Sequence, residues 1–343
     1  MKLFGLGSKD IGIDLGTANI LVIVNGKGVV LNEPSVVAID RKTGDILATG
    51  YEAKEMLGRT PEEIKAVRPL KDGVIADFTA TQLMLKNMLK KIATRYNAGR
   101  IRVVVGVPSG ITEVEERAVE ESIEQAGARE VYLMEEPMAA AIGAGLDVAE
   151  PTGNIIVDIG GGTTEVAVIS LGGIVISNSL KIAGDELDED IVDYVKKEIG
   201  VAIGETTAEQ IKLSIGCAMP LMTETSMEVR GRSLSTGLPV NITLTSTQIE
   251  EAMRGSINEI VDVIKATLEK TPPELAADIV EKGIYLAGGG ALIKNLDKLI
   301  SNRTGIPVFV AQNPLECVVN GTAKTLEDLE KLKDVLINAR KRR

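Results

Sequence analysis

The feature that most constrains the fold of this chain is an internal repeat of a short hairpin motif. Near the N-terminus, residues 11–19 read IGIDLGTAN and lead into the apolar run ILVIV at 20–24. Far downstream, residues 155–164 read IIVDIGGGTT and lead into VAVI at 166–169. Each copy is an apolar strand, an aspartate, a Gly/Thr turn and a second β-branched strand, which predicts a β-hairpin with a tight polar tip. The repeat therefore predicts two related halves, each opening with the same hairpin.

Helical and strand patterns alternate after the first hairpin, which is typical of an α/β fold. Apolar residues at helical spacing predict a helix over 81–93, and the continuous apolar run 102–107 predicts a buried strand. Thr112 followed by Glu115 predicts a capping box at the start of a further helix.

Proline and glycine mark two more element boundaries. Pro137 stands at a first-turn position and predicts a helix that continues over 138–144. Residues 285–287 predict a strand that runs into Gly-Gly-Gly at 288–290 and then into a helix from Ala291.

The composition excludes several classes of chemistry. The chain has 343 residues and no histidine, so a Ser-His-Asp triad, an imidazole base and a His-ligated metal are excluded. Its two cysteines, Cys217 and Cys317, lack the spacing of a zinc or iron–sulfur site and suit a reducing compartment. Acid–base chemistry must therefore fall to carboxylates, and any metal should be a hard cation bound by oxygen.

Net charge and hydropathy limit the kinds of partner that this chain is expected to bind. The chain carries 38 Lys and Arg against 49 Asp and Glu, a net charge of -11 that repels phosphate backbones. Three Phe, five Tyr and no Trp cannot build stacking platforms, so we expect no nucleic-acid partner. No apolar run approaches the roughly 18 residues that a membrane span needs, and the N-terminus lacks a signal-peptide pattern. We expect a soluble, cytoplasmic protein.

The two hairpin tips and the Gly-Gly-Gly turn suit a nucleotide. Glycines at a tip let backbone N–H groups approach an anion, and Thr hydroxyls add donors. Two such tips on either side of a cleft between the halves would bind a polyphosphate. Asp14 and Asp158, each at the end of its strand, would hold Mg²⁺ on the phosphates through waters. Residues 288–291 would place bare backbone against a ring or ribose.

Each motif also has a purely structural interpretation. A single Asp-Leu-Gly-Thr is most often a turn, and 288–290 could be a flexible loop or tight helix–sheet packing. Glu209 could complete a capping box with Thr206 and form a solvated pair with Lys212. The conjunction of two matched hairpins with a Gly-Gly-Gly turn favours the nucleotide site, since neither a P-loop nor a G-x-G-x-x-G motif occurs.

These motifs resemble the actin/Hsp70/sugar-kinase ATPase superfamily. Its phosphate-1, connect-1, phosphate-2 and adenosine motifs match residues 14–19, 136–145, 158–164 and 286–293. Within it, the chain is similar to the MreB/Mbl family, bacterial actin homologues that organise cell-wall elongation. The segments that carry this likeness are DLGTAN at 14–19, RPLKDGVIADF at 68–78, EEPMAAAIG at 135–143, DIGGGTTEV at 158–166 and LEKTPPEL at 268–275. The resemblance runs from about Asp10 to Thr322.

The resemblance implies an actin-like ATPase fold: two related, ribonuclease H-like halves around a nucleotide cleft, each with a small inserted subdomain. The expected boundaries follow from two inserted segments. The first contains short strands with one helix, and the second contains two helices followed by strands. These boundaries are 1–32 and 67–145 for subdomain IA, with a C-terminal helix over 321–343; 33–66 for IB; 146–183 and 258–320 for IIA; and 184–257 for IIB.

The resemblance also implies ATP/ADP with Mg²⁺ and assigns roles to residues of this chain. Glu136 matches the water-activating carboxylate and Thr163 its helper, with Glu135 as the rival of Glu136. The expected phosphate contacts are Thr17, Ala18 and Asn19 from the first half and Gly160, Gly161 and Gly162 from the second. The expected adenosine contacts are Glu209, Gln210, Lys212, Gly288, Gly289, Gly290 and Ala291.

The implied function is a cytoskeletal ATPase that polymerises with ATP into membrane-associated filaments organising cell-wall elongation and rod shape. Its expected partners are further copies of itself, the inner face of the plasma membrane, on which it would be peripheral, and cell-wall elongation proteins. Leu3, Phe4 and Leu6 or the basic tail 340–343 would contact the membrane. Two alternatives stay open: an Hsp70-like nucleotide switch, although no peptide-binding domain follows the second half, and a small-molecule kinase, although no acceptor site is recognisable.

Overall fold

The computed structural model describes residues 8–96, 100–330 and 332–337, and the chain divides into two compact units. Unit 1 comprises Met1–Glu150, Leu171–Ile174 and Glu316–Arg343, and unit 2 comprises Pro151–Ser170 and Val175–Leu315. The apolar N-terminal cluster Leu3, Phe4 and Leu6 and the basic tail 340–343 lie outside the described residues.

The first part of the chain forms a sheet, a small insertion and the helices that cover them. In chain order these elements are β1 (Ser8–Leu15), β2 (Asn19–Val24), β3 (Gly28–Pro34), β4 (Val37–Asp40), β5 (Ile46–Thr49), α1 (Tyr51–Met56), β6 (Ile64–Val67), β7 (Leu70–Lys71), β8 (Val74–Ile75), α2 (Phe78–Tyr96), β9 (Arg100–Val107), α3 (Glu113–Gln125), β10 (Glu130–Glu135) and α4 (Glu136–Ala144).

The second part repeats this plan. Its elements are β11 (Asn154–Ile159), β12 (Thr164–Ser170), β13 (Gly173–Leu180), α5 (Gly184–Tyr194), β14 (Val201–Ala202), α6 (Glu205–Ile215), β15 (Ser226–Ser233), β16 (Pro239–Thr245), α7 (Ser246–Lys270), α8 (Pro273–Lys282), β17 (Ile284–Ala287), α9 (Leu296–Thr304), β18 (Val308–Val310) and α10 (Cys317–Glu327). A π-helical turn at Val195–Ile199 continues α5, and short 3₁₀ turns form at Gly289–Leu292, Pro314–Glu316 and Lys333–Val335.

The two units share one sheet topology, as the repeat predicts. The five-stranded sheet of unit 1 has the order β10-β9-β1-β2-β3, and that of unit 2 has the order β18-β17-β11-β12-β13. In each sheet the aspartate-bearing strand pairs antiparallel with its hairpin partner and parallel with a strand from later in the chain. Asp14 thereby pairs with Gly106, and Asp158 with Ala287.

Aliphatic residues fill a separate core in each unit. β9 and β11 are buried along most of their length, which explains their continuous rather than alternating apolar pattern. The helices pack on the sheet faces through stripes such as Met84, Leu85 and Met88 of α2.

The strands and helices expected in the two inserted segments are present. A three-stranded sheet in the order β5-β4-β6 with the short helix α1 occupies the first, and α5, α6 and the strands β14, β15 and β16 occupy the second. The capping box at Thr112 is also confirmed, because its hydroxyl accepts from the Glu115 N–H while the Glu115 carboxylate accepts from the Thr112 N–H. Among the described residues, no helix combines the length and the apolar character that crossing a membrane requires.

The helix predicted from Ala291 is wrong. The chain makes only the short turn Gly289–Leu292 there, and the α-helix begins at Leu296. Ile293 has an extended backbone and Asn295 a left-handed one with φ 63°, so the helical pattern cannot continue through them.

The single C-terminal helix over 321–343 is also wrong. The helix α10 begins earlier, at Cys317, and ends at Glu327, where Asp328 leaves the helical region with φ -120° and ψ 43°. Further on, Leu336 forms an isolated antiparallel bridge with Met134 at the end of β10, and its side chain is fully buried. Burial of this leucine against the sheet prevails over the helical spacing of the segment.

Two glycines allow α4 and α10 to pack at unusually close distance. A Cβ atom on Gly143 would overlap the carbonyl oxygen of Cys317, and one on Gly321 would overlap the carbonyl oxygen of Ala139. Lys324 of α10 adds a hydrogen bond between the two helices, because its Nζ donates to the carbonyl oxygen of Ile142 in α4 at 2.8 Å. The helix that carries Glu136 is therefore held by backbone-to-backbone contact.

We expect the substitution Gly321→Ala to destabilise the protein by about 3 kcal/mol, because overpacking against backbone cannot be relieved by a side-chain rotation. The matched control is Gly255→Ala in α7, where a Cβ atom meets nothing within 4 Å. That change should stabilise the chain by about 0.5–1 kcal/mol through helix propensity. Urea unfolding of both variants measures the difference, and equal effects would contradict the close packing.

Candidate functional site

The first glycine turn, residues 16–19, connects β1 to β2. A Cβ atom on Gly16 would lie 2.7 Å from the carbonyl oxygen of Asn19, so only glycine allows the turn to close this tightly. The Asn19 amide donates to the side-chain oxygen of Asn32 on β3 at 3.0 Å. Asn19 is therefore tied to the sheet by its side chain.

Ser35 and Gly73, which were not predicted from the sequence as site residues, lie outside this turn and form hydrogen bonds with it. The Ser35 hydroxyl donates to the Gly16 carbonyl oxygen at 2.6 Å, and the Ser35 N–H donates to the Ala18 carbonyl oxygen at 2.9 Å. The N–H of Gly73 donates to the Thr17 Oγ1 at 3.0 Å. Gly73 lies in an Asp-Gly turn between β7 and β8, a recognisable hairpin signal, whereas nothing in the sequence marks Ser35.

These bonds fix the position of Thr17 in the turn. Thr17 is buried, with 5% of the residue exposed, and its hydroxyl oxygen already accepts the Gly73 N–H. A hydroxyl that accepts one hydrogen bond still has its own proton to donate. Thr17 can therefore offer one O–H donor at the turn, as the phosphate prediction requires.

Asp14 lies one residue before the end of β1 and is half-buried. Desolvation by the surrounding protein raises the pKa of its carboxyl from 3.8 to about 7. Burial therefore disfavours the charged form of Asp14, and a cation beside it would favour that form again.

Glu136 occupies the first residue of α4 and is 9% exposed. Its Cγ would lie 3.3 Å from a Cβ atom on Gly106, and Gly106 is the register partner of Asp14 on the neighbouring strand. Unit 1 therefore brings Glu136 to the strand ends where Asp14 lies. Glu135, the rival carboxylate, ends β10 at the N-cap position of α4 and is half-buried.

The second glycine turn, Gly160–Gly162, is bound to the start of α5. The N–H of Gly184 donates to the Gly160 carbonyl oxygen at 3.1 Å, and the N–H of Asp185 donates to the Gly161 carbonyl oxygen at 2.7 Å. In a trans peptide the C=O and the following N–H point in opposite directions. The N–H groups of Gly161 and Gly162 therefore point away from α5, as a pair of adjacent donors that suits a phosphate.

Asp158 and the Gly-Gly-Gly turn pack directly on one another. A Cβ atom on Gly288 would lie 2.5 Å from Asp158 Oδ1, and one on Gly290 would overlap the Ile159 side chain. Gly288 also has a positive φ of 78°. The structure therefore favours tight packing, one of the two structural interpretations, for Gly288 and Gly290.

The exposure of this turn limits what a ring could contact. Gly290 and Ala291 are buried, Gly288 is half-buried, and Gly289 is exposed. A nucleoside would therefore meet the backbone of Gly288 and Gly289 rather than all four residues.

The residues predicted for the adenosine pocket on α6 differ in exposure. Glu209 is half-buried and Gln210 is exposed on another face of the helix. The Lys212 Nζ lies 2.9 Å from Asp188 Oδ2 and donates to the Gly184 carbonyl oxygen, so it contacts α5. Thr163, predicted as the catalytic helper, is buried, and its carbonyl oxygen accepts the Gly160 N–H at 2.9 Å.

A duplicated α/β unit, with an aspartate before a glycine turn at the same place in each copy, is the arrangement expected of an actin-like ATPase fold. A solved structure with this fold, MreB5 of Spiroplasma citri bound to ADP, superposes on 95% of this chain and 98% of its own with a TM-score of 0.90 and 41% identity. The actin-like fold class predicted from the motifs is thereby confirmed.

The chain belongs to the MreB/Mbl family. The family model described as MreB/Mbl protein matches residues 8–334. The cell shape-determining protein MreB of Escherichia coli K12 is 54% identical over 334 residues, 96% of each chain. The cell shape-determining protein Mbl of Bacillus subtilis 168 is 50% identical over 325 residues, 95% of this chain and 98% of the relative.

The raised pKa of Asp14 predicts a pH-dependent effect of Asp14→Asn in the protein without nucleotide or divalent cation. Between the ordinary pKa of 3.8 and the native value of about 7, the native state keeps a proton that the unfolded state has lost, so stability falls as the pH rises. Asparagine does not ionise, so the variant does not lose stability in this way as the pH rises. The variant should be about 2 kcal/mol more stable than the parent near pH 8, allowing for partial solvation.

Denaturant unfolding at several pH values measures this difference. The gain should disappear as the pH falls towards about 4, because both states of the parent are then protonated. A gain of the same size at every pH would contradict burial of a charged Asp14 as its cause.

Proposed function

We propose that this chain is an ATPase whose nucleotide state controls its polymerisation into filaments that organise cell-wall elongation and rod shape. The observation that carries the proposal is the pair of adjacent N–H donors of Gly161 and Gly162, directed away from α5 in the turn that follows Asp158. Family membership supports it, because MreB5 of Spiroplasma citri has been solved with ADP and with AMPPNP.

The phosphate contacts come from donors that are already oriented. Gly161 and Gly162 supply backbone N–H groups and Thr17 supplies its hydroxyl proton. Within each turn the donors are held by hydrogen bonds before any anion binds, and preoriented donors are effective in stabilising charge. Ala18 and Asn19 of the first turn are the further phosphate contacts in this proposal.

Asp14 and Asp158 suit a hard cation. Mg²⁺ keeps several waters and is usually bound by one or two carboxylates together with substrate phosphates. Two aspartates, one at the end of each hairpin strand, match this kind of binding. When bound, Mg²⁺ would neutralise charge that develops on the phosphates.

Glu136 is the proposed acceptor for the proton of the attacking water. It begins α4 beside Gly106 and is almost fully buried, and close helix packing through Gly143 and Gly321 holds its backbone in place. A fixed carboxylate can orient a water without paying the entropy of being ordered during the reaction. Thr163, in the second turn, is the proposed helper.

Sedimentation with Mg-ATP, with phosphate release followed in parallel, tests the proposal. Nucleotide-dependent polymer without any added acceptor is expected. Absence of polymer over a range of salt and lipid conditions would contradict the filament function. Transfer of the phosphate to a small acceptor instead of water would favour a kinase of the same superfamily.

The catalytic assignment predicts that Glu136→Gln slows phosphate release by about 100-fold while ATP binding and assembly are kept, because general-base assistance is lost and the side-chain volume is not. Glu135→Gln is the matched control, since it changes the adjacent carboxylate in the same way. Phosphate release per filament should be little changed in this control. If the two effects are reversed, the role belongs to Glu135.

Membrane attachment is a further part of the proposal and rests on the sequence alone. The apolar residues Leu3, Phe4 and Leu6 are followed by Lys9, and the chain closes on Arg-Lys-Arg-Arg at 340–343. Apolar insertion and basic attraction to anionic lipids each contribute to peripheral binding. The double variant Leu3→Ser, Phe4→Ser should reduce sedimentation with anionic liposomes, and undiminished binding would assign the contact to another segment.

A further inference from the structure

The ion pair between Lys212 and Asp188 joins the two helices of the second insertion beside the glycine turn. Lys212 lies on α6 and Asp188 on α5, and their charged atoms are 2.9 Å apart. Only 12% of the Lys212 side chain and 9% of the Asp188 side chain are exposed. The same ammonium donates to the carbonyl oxygen of Gly184, the first residue of α5.

Gly184 is the link from this ion pair to the phosphate-binding turn. Its carbonyl oxygen accepts from Lys212, and its N–H donates to the Gly160 carbonyl oxygen at 3.1 Å. A Cβ atom on Gly184 would lie 3.2 Å from the Gly160 oxygen, 3.4 Å from Lys212 Nζ and 3.5 Å from Gly161 Cα. The ammonium and the turn therefore both contact Gly184, around the place that a side chain would occupy.

We infer that Asp188 is a positioning residue for phosphate binding: it holds Lys212 on the Gly184 carbonyl and so fixes the first turn of α5 against the Gly160 and Gly161 carbonyls. The inference rests on the proposed nucleotide site. Asp188 acts through three successive contacts and does not itself reach the ligand.

The peptide geometry explains why this position matters for phosphate. The carbonyl groups of Gly160 and Gly161 bond to α5, which directs the N–H groups of Gly161 and Gly162 to the opposite side. If the start of α5 moves, nothing else in this set of bonds keeps the two peptide planes in that orientation. The donors would then have to be reordered each time a phosphate binds.

The charges around Asp188 explain why removing one member of the ion pair destabilises the other. Desolvation raises the pKa of Asp188 to about 6, attraction to Lys212 opposes this shift, and Glu209 and Asp185 add to it. The second oxygen, Oδ1, is buried and has no hydrogen-bond partner among the described atoms. Lys212 is thus the main stabilising partner of a carboxylate that the fold otherwise disfavours, and removing one member of a buried pair leaves the other uncompensated.

A direct role of Lys212 in the adenosine pocket is the competing explanation. It predicts that loss of the ion pair weakens adenosine and ATP alike, since both contain the same nucleoside. A role through the glycine turn predicts a loss that depends on the phosphates. Binding of ATP, ADP and adenosine to the same variant therefore separates the two.

The test is calorimetric titration of Asp188→Asn with ATP, ADP and adenosine, below the concentration at which the chain assembles. We expect ATP and ADP to bind about tenfold more weakly than to the parent, or about 1.4 kcal/mol, and adenosine to bind within about twofold. The amides of Gly184 and Asp185 should exchange with deuterium faster. The control is Asp193→Asn, which removes the exposed pair with Lys197 on the same helix and should change neither measurement.

Gly184→Ala is the second variant and perturbs the same contact without changing any charge. It should show the same phosphate-dependent loss, so an unfolded Asp188→Asn would not remove the test. An equal loss for adenosine, or unchanged ATP binding in both variants, would overturn the inference. A parent chain that binds no ATP at all would instead contradict the proposed nucleotide site.

Discussion

The candidate site depends on the parallel pairing of each aspartate-bearing strand with a strand from later in the chain. Parallel neighbours cannot be joined by a tight turn, so the chain must pass through further elements before it returns to the sheet. Because parallel strands end at the same edge, Asp14 comes to lie beside Gly106, and Asp158 beside Ala287. The segments that follow those neighbouring strands therefore arrive next to the aspartates, although they are distant in the sequence.

Glycine serves two different purposes at this edge. In Gly160–Gly162 the bare backbone exposes N–H donors, whereas Gly288 and Gly290 are glycine because Asp158 and Ile159 fill the space that a side chain would need. The two uses have the same sequence signature. Only the carbonyl partners of the first turn and the close contacts of the second tell them apart, because both are set by residues elsewhere in the chain.

For the charged residues too, local sequence patterns indicate some of the roles, and only contacts between distant segments show the others. The absence of histidine directs attention to carboxylates, and the sequence pattern indicates Glu136 through its place at a helix start. For Lys212 the local spacing suggests Glu209 as the partner, three residues away on α6. The structure pairs it with Asp188 on α5. Helical spacing describes which side chains share a face, but it contains no information about the charge on the helix packed against that face.

The sequence by itself determined the duplication, the hairpins, the α/β class with its two insertions, and the glycine turns with their aspartates, because each of these is a local pattern of hydrophobicity, turn chemistry or capping. The tertiary structure decided where α10 ends, how Leu336 returns to β10, and which groups hold the glycine turns, among them Ser35 and Gly184. These outcomes depend on burial and hydrogen bonding between segments far apart in the chain. Such contacts compete with local propensity and, where the gain from burial is larger, they prevail.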